Sequence, residues 1–334
     1  QHAKFIVPDR FHGYCTDDNA RALIAMLSAQ EMIADTTQTY ELACRYLAFI
    51  LHAFNEEGGR FRNFMGYDRR WREEEGSEDS HGRAVWALGE AVCLAPSEDM
   101  RAVARSLFER ALAVVPAFTS PRAWSFSLVG MNAYLRRFTG DSEVRRMRER
   151  LAEKMFTLFQ NNASHDWPWI ENVLAYANGK LPQALIATGR VLDDREMVKA
   201  GLTSLEWLVE IQTDEKGHFV PVGNNGWYTR GGEKARFDQQ PLEVFHMIEA
   251  CREAYIATGD ERWATQARCC LEWFLGRNDL SVPLYDHRTG GCCDGLQAGG
   301  PNRNQGAEST LACFLSLLAI NRFGSRGVTI EDRE

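Results

Sequence analysis

The sequence predicts an all-α fold in which six helical hairpins close into a toroid, written (α/α)6. Two classes of segment alternate along its 334 residues, and both have the periodicity of helices. Segments of the first class are amphipathic, which is typical of helices that pack on one side only. They are Tyr40–Phe54, Met100–Val115, Glu143–Phe159, Glu196–Ile211 and Arg262–Leu275. Segments of the second class are richer in small and apolar residues, and we interpret them as internal helices that begin near Asp18, His81, Ser125, Pro182, Pro241 and Gln305.

The spacing of these segments favours a closed ring over an open stack. The pairs recur every 40 to 65 residues or so, roughly the period of helical repeat proteins. An open solenoid would carry similar loops in every repeat. Here the loops before the internal helices differ from one another and are rich in Trp, Gly and charged residues. Six internal helices against five amphipathic ones leave one outer helix missing, which we expect before Gln1 or after Glu334.

The chain contains no Pro/Ser-rich linker, so we expect residues 1–334 to form a single domain. Its start at Gln1, without a Met, suggests a piece excised from a longer protein. Two loop segments, Gly58–Trp71 and Lys216–Gly232, alternate in polarity and contain turn dipeptides such as Asn225-Gly226. We interpret them as small β-hairpins at the mouth of the toroid.

Charge and composition argue against several classes of partner. The formal net charge is -8, and an acidic surface repels nucleic acid and anionic membranes. The longest apolar run, near Leu311–Ile320, is shorter than the ~20 residues that a membrane helix needs. The nine cysteines show no zinc-ligand spacing and include two adjacent pairs, which favours free thiols in a reducing cytoplasm. We expect no metal and no cofactor.

Acidic residues collect where the internal helices begin. In a closed ring these helices run in the same direction, so their N-termini and preceding loops surround one end of the central cavity. The candidate acids there are Asp18, Asp79, Glu171, Asp238 and Glu308. Taken singly, Asp at a helix start is more often a cap than a catalyst. His81 could likewise satisfy a buried carbonyl, and Glu308 points either to the cavity or to a buried partner.

Aromatic residues in the same loops predict that the cavity binds a saccharide. Sugar rings present C–H faces that pack on aromatic rings, and their hydroxyls bind carboxylates, amides and guanidinium groups. The candidate substrate-binding residues are Asp17, Arg21, His81, Arg83, Trp124, Trp167, Trp169, Tyr176, Trp227, Tyr228, Arg236, Asp238, Gln239, Gln240, Asn304, Gln305 and Glu308.

The acids suggest glycoside hydrolysis, which requires two carboxyl groups flanking the scissile bond. Glu171 follows Trp-Pro-Trp, and we expect apolar surroundings to keep it protonated as the proton donor. Asp79 or Asp18 would then activate water or attack the anomeric carbon. The catalytic candidates are therefore Glu171, Asp79 and Asp18, with arginines holding hydroxyls or keeping the second acid ionised.

Five stretches resemble a known group of proteins: HGYCTDDNARALI, GSEDSHGRAVWAL, WPWIENVLAYANGKLPQALI, GWYTRGGEKARFDQQPLE and TGGCCDGLQAGGPNRNQGAESTLACFLSLL. They are similar to six-hairpin glycosidase-like domains of a bacterial group found beside or fused to glycosyltransferases. The resemblance runs from about His12 to Ile320. It implies the (α/α)6 fold, a carbohydrate-active enzyme and a linked or neighbouring glycosyltransferase as partner. The wider superfamily contains hydrolases, phosphorolytic enzymes, lyases and an epimerase branch.

Three other functions compete with hydrolysis. A sugar epimerase or isomerase needs a proton-shuttling pair, often histidines, and His81 and His246 permit one. A non-catalytic carbohydrate-binding or interaction module of a glycosyltransferase is the alternative without chemistry. A terpenoid cyclase is disfavoured, because Arg21 stands at the last position of the DDxxD pattern that begins at Asp17.

Overall fold

The computed structural model describes residues 1–323, which form eleven α-helices. Their bounds are α1 Thr16–Ala29, α2 Thr37–Ala53, α3 Glu78–Leu94, α4 Glu98–Leu112, α5 Pro121–Arg137, α6 Ser142–Asn162, α7 Lys180–Leu192, α8 Arg195–Ile211, α9 Pro241–Thr258, α10 Glu261–Glu272 and α11 Ala307–Asn321. Short 3₁₀ turns occupy Arg10–His12, Val115–Ala117 and Trp273–Leu275. The predicted alternation of two helix classes is confirmed.

The odd-numbered helices pack side by side in a closed ring. Helix α1 contacts α3, and the series continues through α5, α7 and α9 to α11, which returns to pack against α1. Each even-numbered helix packs outside the helix that precedes it. This closure confirms the (α/α)6 toroid over an open solenoid. The sixth outer helix, expected before Gln1 or after Glu334, falls outside the described residues.

Burial along the helices explains the two sequence classes. The outer helix α6 buries one stripe, made of Val144, Arg148, Leu151, Ala152 and Met155, which is the spacing of a single helical face. The inner helix α3 is buried nearly throughout, because it contacts α1, α4 and α5. Polar caps begin both kinds of helix: the Ser77 hydroxyl accepts from the Ser80 amide at 3.1 Å and the Asp194 carboxylate from the Met197 amide at 3.0 Å.

Glycines let α3 and α5 approach closely. A β-carbon at Gly82 would lie 2.7 Å from the carbonyl oxygen of Ala123, and one at Gly130 would lie 2.7 Å from that of Val85. A β-carbon at Gly89 would overlap the carbonyl oxygen of Gly130. Backbone contact at these crossings therefore excludes any larger residue.

Six antiparallel two-stranded pairs interrupt the loops. They are β1 Ala3–Lys4 with β2 Val7–Pro8, β3 Tyr14–Cys15 with β6 Phe64–Met65, β4 Phe54–Asn55 with β5 Arg60–Phe61, β7 Val173–Leu174 with β8 Tyr228–Thr229, β9 Tyr285–Asp286 with β10 Gly291–Cys292, and β11 Gly295–Gln297 with β12 Gly300–Asn302. Short hairpins in the loops are thus confirmed.

The two loop segments predicted as hairpins pair differently from the prediction. Within Gly58–Trp71, β5 and β6 pair with β4 and β3, which lie outside the segment, and only a single bridge joins Met65 to Trp71. Within Lys216–Gly232, β8 pairs with β7. These loops are therefore tied to neighbouring hairpins of the ring, which fixes them at the mouth.

Two further features bear on the sequence predictions. No helix among residues 1–323 combines the length and the apolar character needed to cross a membrane. All nine cysteines, which lie within this range, are free thiols.

Candidate active site

A cleft of about 500 Å³ opens at the end of the ring where the inner helices begin. Five carboxylates lie on its wall, namely Asp17, Asp18, Asp238, Asp294 and Glu308. They come from the starts of α1 and α11 and from the loops before α9 and α11. A cavity of similar volume at the opposite end carries one carboxylate, Glu31, which is paired with Arg322. The cleft at the helix starts is therefore the candidate site.

Arg21 is the buried cation of this cleft. Its Nη1 lies 3.1 Å from Oδ1 of Asp18, and its Nη2 lies 2.7 Å from Oε2 of Glu308. Burial opposes the positive charge, but Glu308 and the two aspartates raise the pKa of the guanidinium. Because Glu308 belongs to α11, these ion pairs also join the last inner helix to the first.

Asp17 is held as an anion. One carboxylate oxygen accepts from Nη1 of Arg83, and the other accepts from Nδ2 of Asn63 at 2.9 Å. Burial disfavours the charge, yet Arg83 and Arg21 outweigh it and lower the pKa of Asp17. Asn63 was not predicted from the sequence, because it lies in a loop far from α1 along the chain.

The neighbouring Asp18 has the opposite tendency. Burial, with Glu308 nearby, raises the pKa of Asp18 against the effect of Arg21. Its Oδ2 accepts from the Cys15 thiol at 3.0 Å. Cys15 was not predicted as a site residue, although it stands directly before the helix. Two adjacent carboxyl groups thus have pKa values displaced in opposite directions.

Two more acids lie across the cleft. Asp238 has a left-handed backbone, with φ of 59°, and its side chain makes no hydrogen bond or ion pair with any other described residue. Aspartate is one of the residues that adopt this conformation most readily. Asp294 accepts from the Gly306 amide at 2.8 Å, and burial raises the pKa of its carboxyl. Sequence reasoning missed Asp294, whose only signal is an acid inside a Gly-rich loop.

The amide residues predicted near the cleft divide into two groups. Gln240 and Asn304 line it. Gln239 also borders it, but its buried amide is used inside the protein, accepting from Nε1 of Trp273 at 2.7 Å. Gln305 faces away and donates to Asp286 at 3.2 Å, so its predicted contact with substrate is not supported.

A second polar network lies on the α3–α5–α7 side of the mouth and does not line the cleft. Asp79 accepts from the Ser120 hydroxyl at 2.5 Å and from the Tyr176 hydroxyl. Glu171 lies 2.6 Å from Nη1 of the buried Arg122. The expectation of apolar surroundings for Glu171 is therefore wrong, because Arg122, forty-nine positions away in the sequence, pairs with its carboxylate.

Four predicted sugar contacts are instead part of the core. The indole N–H groups of Trp124, Trp167 and Trp169 donate to backbone carbonyls at 2.8, 2.7 and 3.2 Å. His81 is fully buried, with Nε2 2.9 Å from the carbonyl oxygen of Ala111, and burial lowers the pKa of its imidazole to about 3. Burial of these large rings contradicts a stacking role in the cleft.

The remaining predicted residues flank the site. Tyr228 packs its ring against Trp167, with centroids 5.1 Å apart, and Trp227 beside it is half-buried with a left-handed backbone. Neither borders the cleft. Arg236 is more than half exposed, pairs with Asp279 at 2.7 Å and Asp214 at 3.0 Å, and does not line the cleft.

Among residues 1–323, one group has the composition of a metal site, namely Asp214, His218 and Asp279. His218 lies between the two acids, at 3.4 and 2.9 Å. The guanidinium of Arg236 bridges the same two carboxylates. Since Arg236 already supplies the positive charge, we interpret the group as an ion-pair network that holds the loop before α9.

Glu243, near the start of α9, was not predicted as part of the mouth. It accepts from the Ala177 amide and from the backbone and side-chain nitrogens of Asn178, the latter two at 3.2 and 3.0 Å. Ala177 has a left-handed backbone, which these bonds hold in place. Burial raises the pKa of Glu243 to about 7.

Polar contacts bridge successive inner helices around the mouth. They are Asp17–Arg83 between α1 and α3, Asp79–Ser120 between α3 and the start of α5, Arg122–Tyr176 between α5 and the loop before α7, Asn178–Glu243 between that loop and α9, and Glu308–Arg21 between α11 and α1. Of the five predicted acids, Asp18, Asp238 and Glu308 line the cleft, whereas Asp79 and Glu171 lie in these contacts outside it.

No protein-family model matches the sequence, and no curated protein shows significant similarity to it. Solved structures do. A sugar epimerase from a ruminal bacterium has a TM-score of 0.72 at 14% identity, covering 96% of this chain and 90% of that one. A cellobiose 2-epimerase from Spirochaeta thermophila has a TM-score of 0.68 at 12% identity, with the same coverage.

A GH76 alpha-mannanase from Bacteroides thetaiotaomicron has a TM-score of 0.64 at 11% identity, covering 93% of this chain and 87% of that one. At such low identity these likenesses establish the fold, which is the six-hairpin (α/α)6 toroid of glycosidase-like enzymes. The proteins that share it here act on sugars, by epimerisation in some cases and by hydrolysis in others.

Proposed function

We propose that this chain is a carbohydrate-active enzyme that hydrolyses a glycosidic bond in the cleft, with Asp18 as proton donor and Asp238 as the second carboxyl group. The observation that carries the proposal is the contrast between the two acids. Burial raises the pKa of Asp18, whereas Asp238 lies on the same cleft with no partner among residues 1–323. A pair of acids in unlike environments is what acid–base cleavage of a glycoside requires.

The rest of the cleft wall supports a saccharide as ligand. Side-chain amides line the cleft together with the carboxylates, so both donors and acceptors border the space where hydroxyl groups would lie. The amides are Asn224, Gln240, Gln297, Asn302 and Asn304. Phe64 adds an aromatic edge on which a sugar face can pack.

In this mechanism Asp18 transfers its proton to the glycosidic oxygen as the bond from that oxygen to the anomeric carbon breaks. Arg21, at 3.1 Å, then stabilises the carboxylate that forms. Asp238 either takes a proton from the water that attacks the anomeric carbon or attacks that carbon itself, giving a glycosyl ester that water hydrolyses. The first route inverts and the second retains the anomeric configuration. Asp17, held ionised by Arg83, stabilises positive charge on the sugar ring.

The test uses two variants and two kinds of substrate. Oligosaccharides are first screened for released reducing ends, and the corresponding aryl glycosides are then compared. Asp18→Asn is expected to slow cleavage of the natural bond by about 10²–10⁴-fold. It should slow an aryl glycoside with a good leaving group much less, because that group leaves without a proton. Asp238→Asn should impair both substrates equally.

The matched control is Asp166→Asn, since that carboxylate is almost fully exposed in a mouth loop. It should keep full activity and its melting temperature, and circular dichroism should show that Asp18→Asn and Asp238→Asn remain folded at the assay temperature. Full activity of Asp18→Asn or Asp238→Asn would remove that residue from the mechanism. Failure of a broad panel to yield any cleavage would overturn the hydrolase proposal.

Epimerisation is the second candidate, because two of the similar structures described above are named epimerases. It needs bases that reach a sugar carbon. His81 and His246 are both fully buried, and neither borders the cleft, so neither imidazole reaches a sugar bound there. We therefore place hydrolysis first. Incorporation of deuterium from D₂O into a recovered sugar, with no bond cleavage, would reverse this order.

We further propose that the enzyme works in the cytoplasm beside a glycosyltransferase. The support is the resemblance of its motifs to glycosyltransferase-linked domains, together with nine free thiols. Affinity purification from the native host should recover a glycosyltransferase, either as a separate chain or as part of the same polypeptide. Recovery from the cell exterior, without such a protein, would contradict the proposal.

A further inference from the structure

Exposed aromatic side chains gather beside the cleft. Among residues 1–323, five Phe, Tyr or Trp side chains are more than a third exposed, and four of them lie in the two loops before α1 and α3. These four are Phe5 at 64%, Phe11 at 78%, Phe64 at 39% and Tyr67 at 49% exposure. We call them the aromatic rim. A concentration of exposed rings on one face marks a binding surface.

The backbone and neighbouring side chains hold the rim in place. Phe5 has a left-handed backbone with φ of 52°, and its amide donates to Oδ1 of Asn304 at 2.9 Å. Its carbonyl accepts from the Gln305 amide at 2.9 Å. Asn304 lies on the cleft wall, so the hairpin that carries Phe5 is fastened to the cleft itself.

Phe11 and Tyr67 are fixed on the other side. Nη2 of Arg72 donates to the Phe11 carbonyl at 3.1 Å. Tyr67 stacks on Tyr14 with ring centroids 6.2 Å apart, and the guanidinium of Arg10 lies 5.3 Å from the Tyr67 centroid. A surface ordered in this way loses little conformational entropy when it binds a ligand.

Ring contacts join two of the four rim residues, Phe64 and Phe11, to the cleft. Phe64 belongs to both. His2, also on the cleft wall, has its ring centroid 4.4 Å from that of His12, and His12 lies 5.5 Å from Phe11. A ligand that leaves the cleft on this side therefore passes directly onto exposed rings.

We propose that the aromatic rim binds the outer sugar units of an extended saccharide whose reacting end lies in the cleft. The proposal rests on the saccharide function given above and specifies its substrate as a chain of several units. Sugar C–H faces pack on the exposed rings, and guanidinium groups such as that of Arg10 hydrogen-bond the hydroxyls.

The charges around the rim favour a sugar over a protein partner. The exposed aliphatic residues Ile6 and Val7 follow Phe5, but charged residues also stand among the rings, including Lys4, whose side chain is 81% exposed, and Arg70, at 88%. Protein interfaces are depleted of such charges at their core. Solvated charges between aromatic faces suit a ligand that carries hydroxyl groups all along its length.

The experiment measures how affinity depends on chain length. The Asp18→Asn background slows turnover during the titration. The probes are cello-, manno-, xylo- and malto-oligosaccharides of two to six units, titrated by calorimetry. In the series that binds, we expect affinity to rise with length. Phe11→Ala or Tyr67→Ala should weaken binding of the longest probe about 2- to 12-fold and leave the disaccharide unchanged.

Tyr40→Ala is the matched control, since Tyr40 is the fifth exposed aromatic residue and lies on the outer helix α2. It should bind like the parent. Length-independent affinity, or equal losses for short and long probes, would overturn the rim proposal while leaving the hydrolase proposal intact. If no oligosaccharide is either bound or cleaved, both proposals fail. If Phe11→Ala instead converts a dimer to a monomer by light scattering at unchanged affinity, the rim is a protein interface.

Discussion

Replacing Arg21 by methionine tests whether the cleft is as desolvated as the structure indicates. The side chain is 2% exposed and forms two ion pairs, one with a buried carboxylate and one with a partly exposed carboxylate. Asp18 is also buried, and removing one partner of a buried pair costs about 3–5 kcal/mol. The side chain of Glu308 is 43% exposed, so that pair adds only about 0–1 kcal/mol. The free energy of unfolding should fall by about 3–5 kcal/mol.

The expected loss has a signature in pH. Without Arg21, only the hydrogen bond from the Cys15 thiol opposes the burial that raises the pKa of Asp18. A carboxyl group with a raised folded-state pKa contributes stability that is present at low pH and lost as pH rises through that pKa. The deficit of Arg21→Met should therefore be larger at neutral pH than near pH 4.

Urea unfolding followed by circular dichroism at the two pH values measures both effects, and the melting temperature should fall by about 2–4 °C for each kcal/mol. Arg45→Met is the control, because its pair with Glu41, at 3.6 Å, is mostly exposed. It should cost less than about 1 kcal/mol. A deficit for Arg21→Met no larger than for Arg45→Met, or one independent of pH, would refute the reasoning.

Three further substitutions test the packing and the buried charges. Gly89→Ala should destabilise the ring by about 1–3 kcal/mol in urea melts, because its β-carbon overlaps the backbone of α5, whereas Gly140→Ala meets nothing within 4 Å and should be neutral. Burial lowers the pKa of Lys180 to about 8, so Lys180→Met should stabilise by about 1–3 kcal/mol at pH 7. That gain should shrink as pH rises from 8 towards 10.5, because releasing the proton of the wild-type amine on folding then costs less free energy. A gain that stays constant over this pH range would contradict the prediction. Since burial raises the pKa of Glu243 to about 7, its protonated form contributes stability that is lost as pH rises through 7, and the melting temperature of Glu243→Gln should vary less between about pH 5 and 8 than that of the parent.

The architecture was predictable because it depends on patterns repeated along the whole chain. The stripe of Val144, Leu151 and Met155 in α6, and the caps and prolines at the helix starts, are local signals that burial in the ring does not override. Ring closure followed from the individuality of the loops. The structure bears out both inferences.

The site was predictable only in part, because its details depend on contacts between distant residues. Glu171 was expected in apolar surroundings, but Arg122 reaches it from another hairpin. Trp169 was expected to face substrate, yet so large an apolar ring is more stable in the core. Asp294 and Glu243 carry no sequence signature beyond an acid near a turn or a helix start. The position of Asp238 before an inner helix predicted that it borders the cleft. Its lack of a partner among residues 1–323 depends on distant parts of the chain, and the sequence could not show it.

The return of α11 onto α1 has a consequence for biosynthesis. Arg322, just after α11, hydrogen-bonds Glu31, just after α1, across 291 positions of sequence. A contact order of this kind slows folding, because α11 must be synthesised before this interface can form. At the usual rates of translation, about 5–20 residues per second, the flank of α1 waits roughly 15–60 s for its neighbour. Nascent chains that lack α11 are therefore expected to bind chaperones through this open flank, and truncated forms to aggregate rather than to settle as smaller rings.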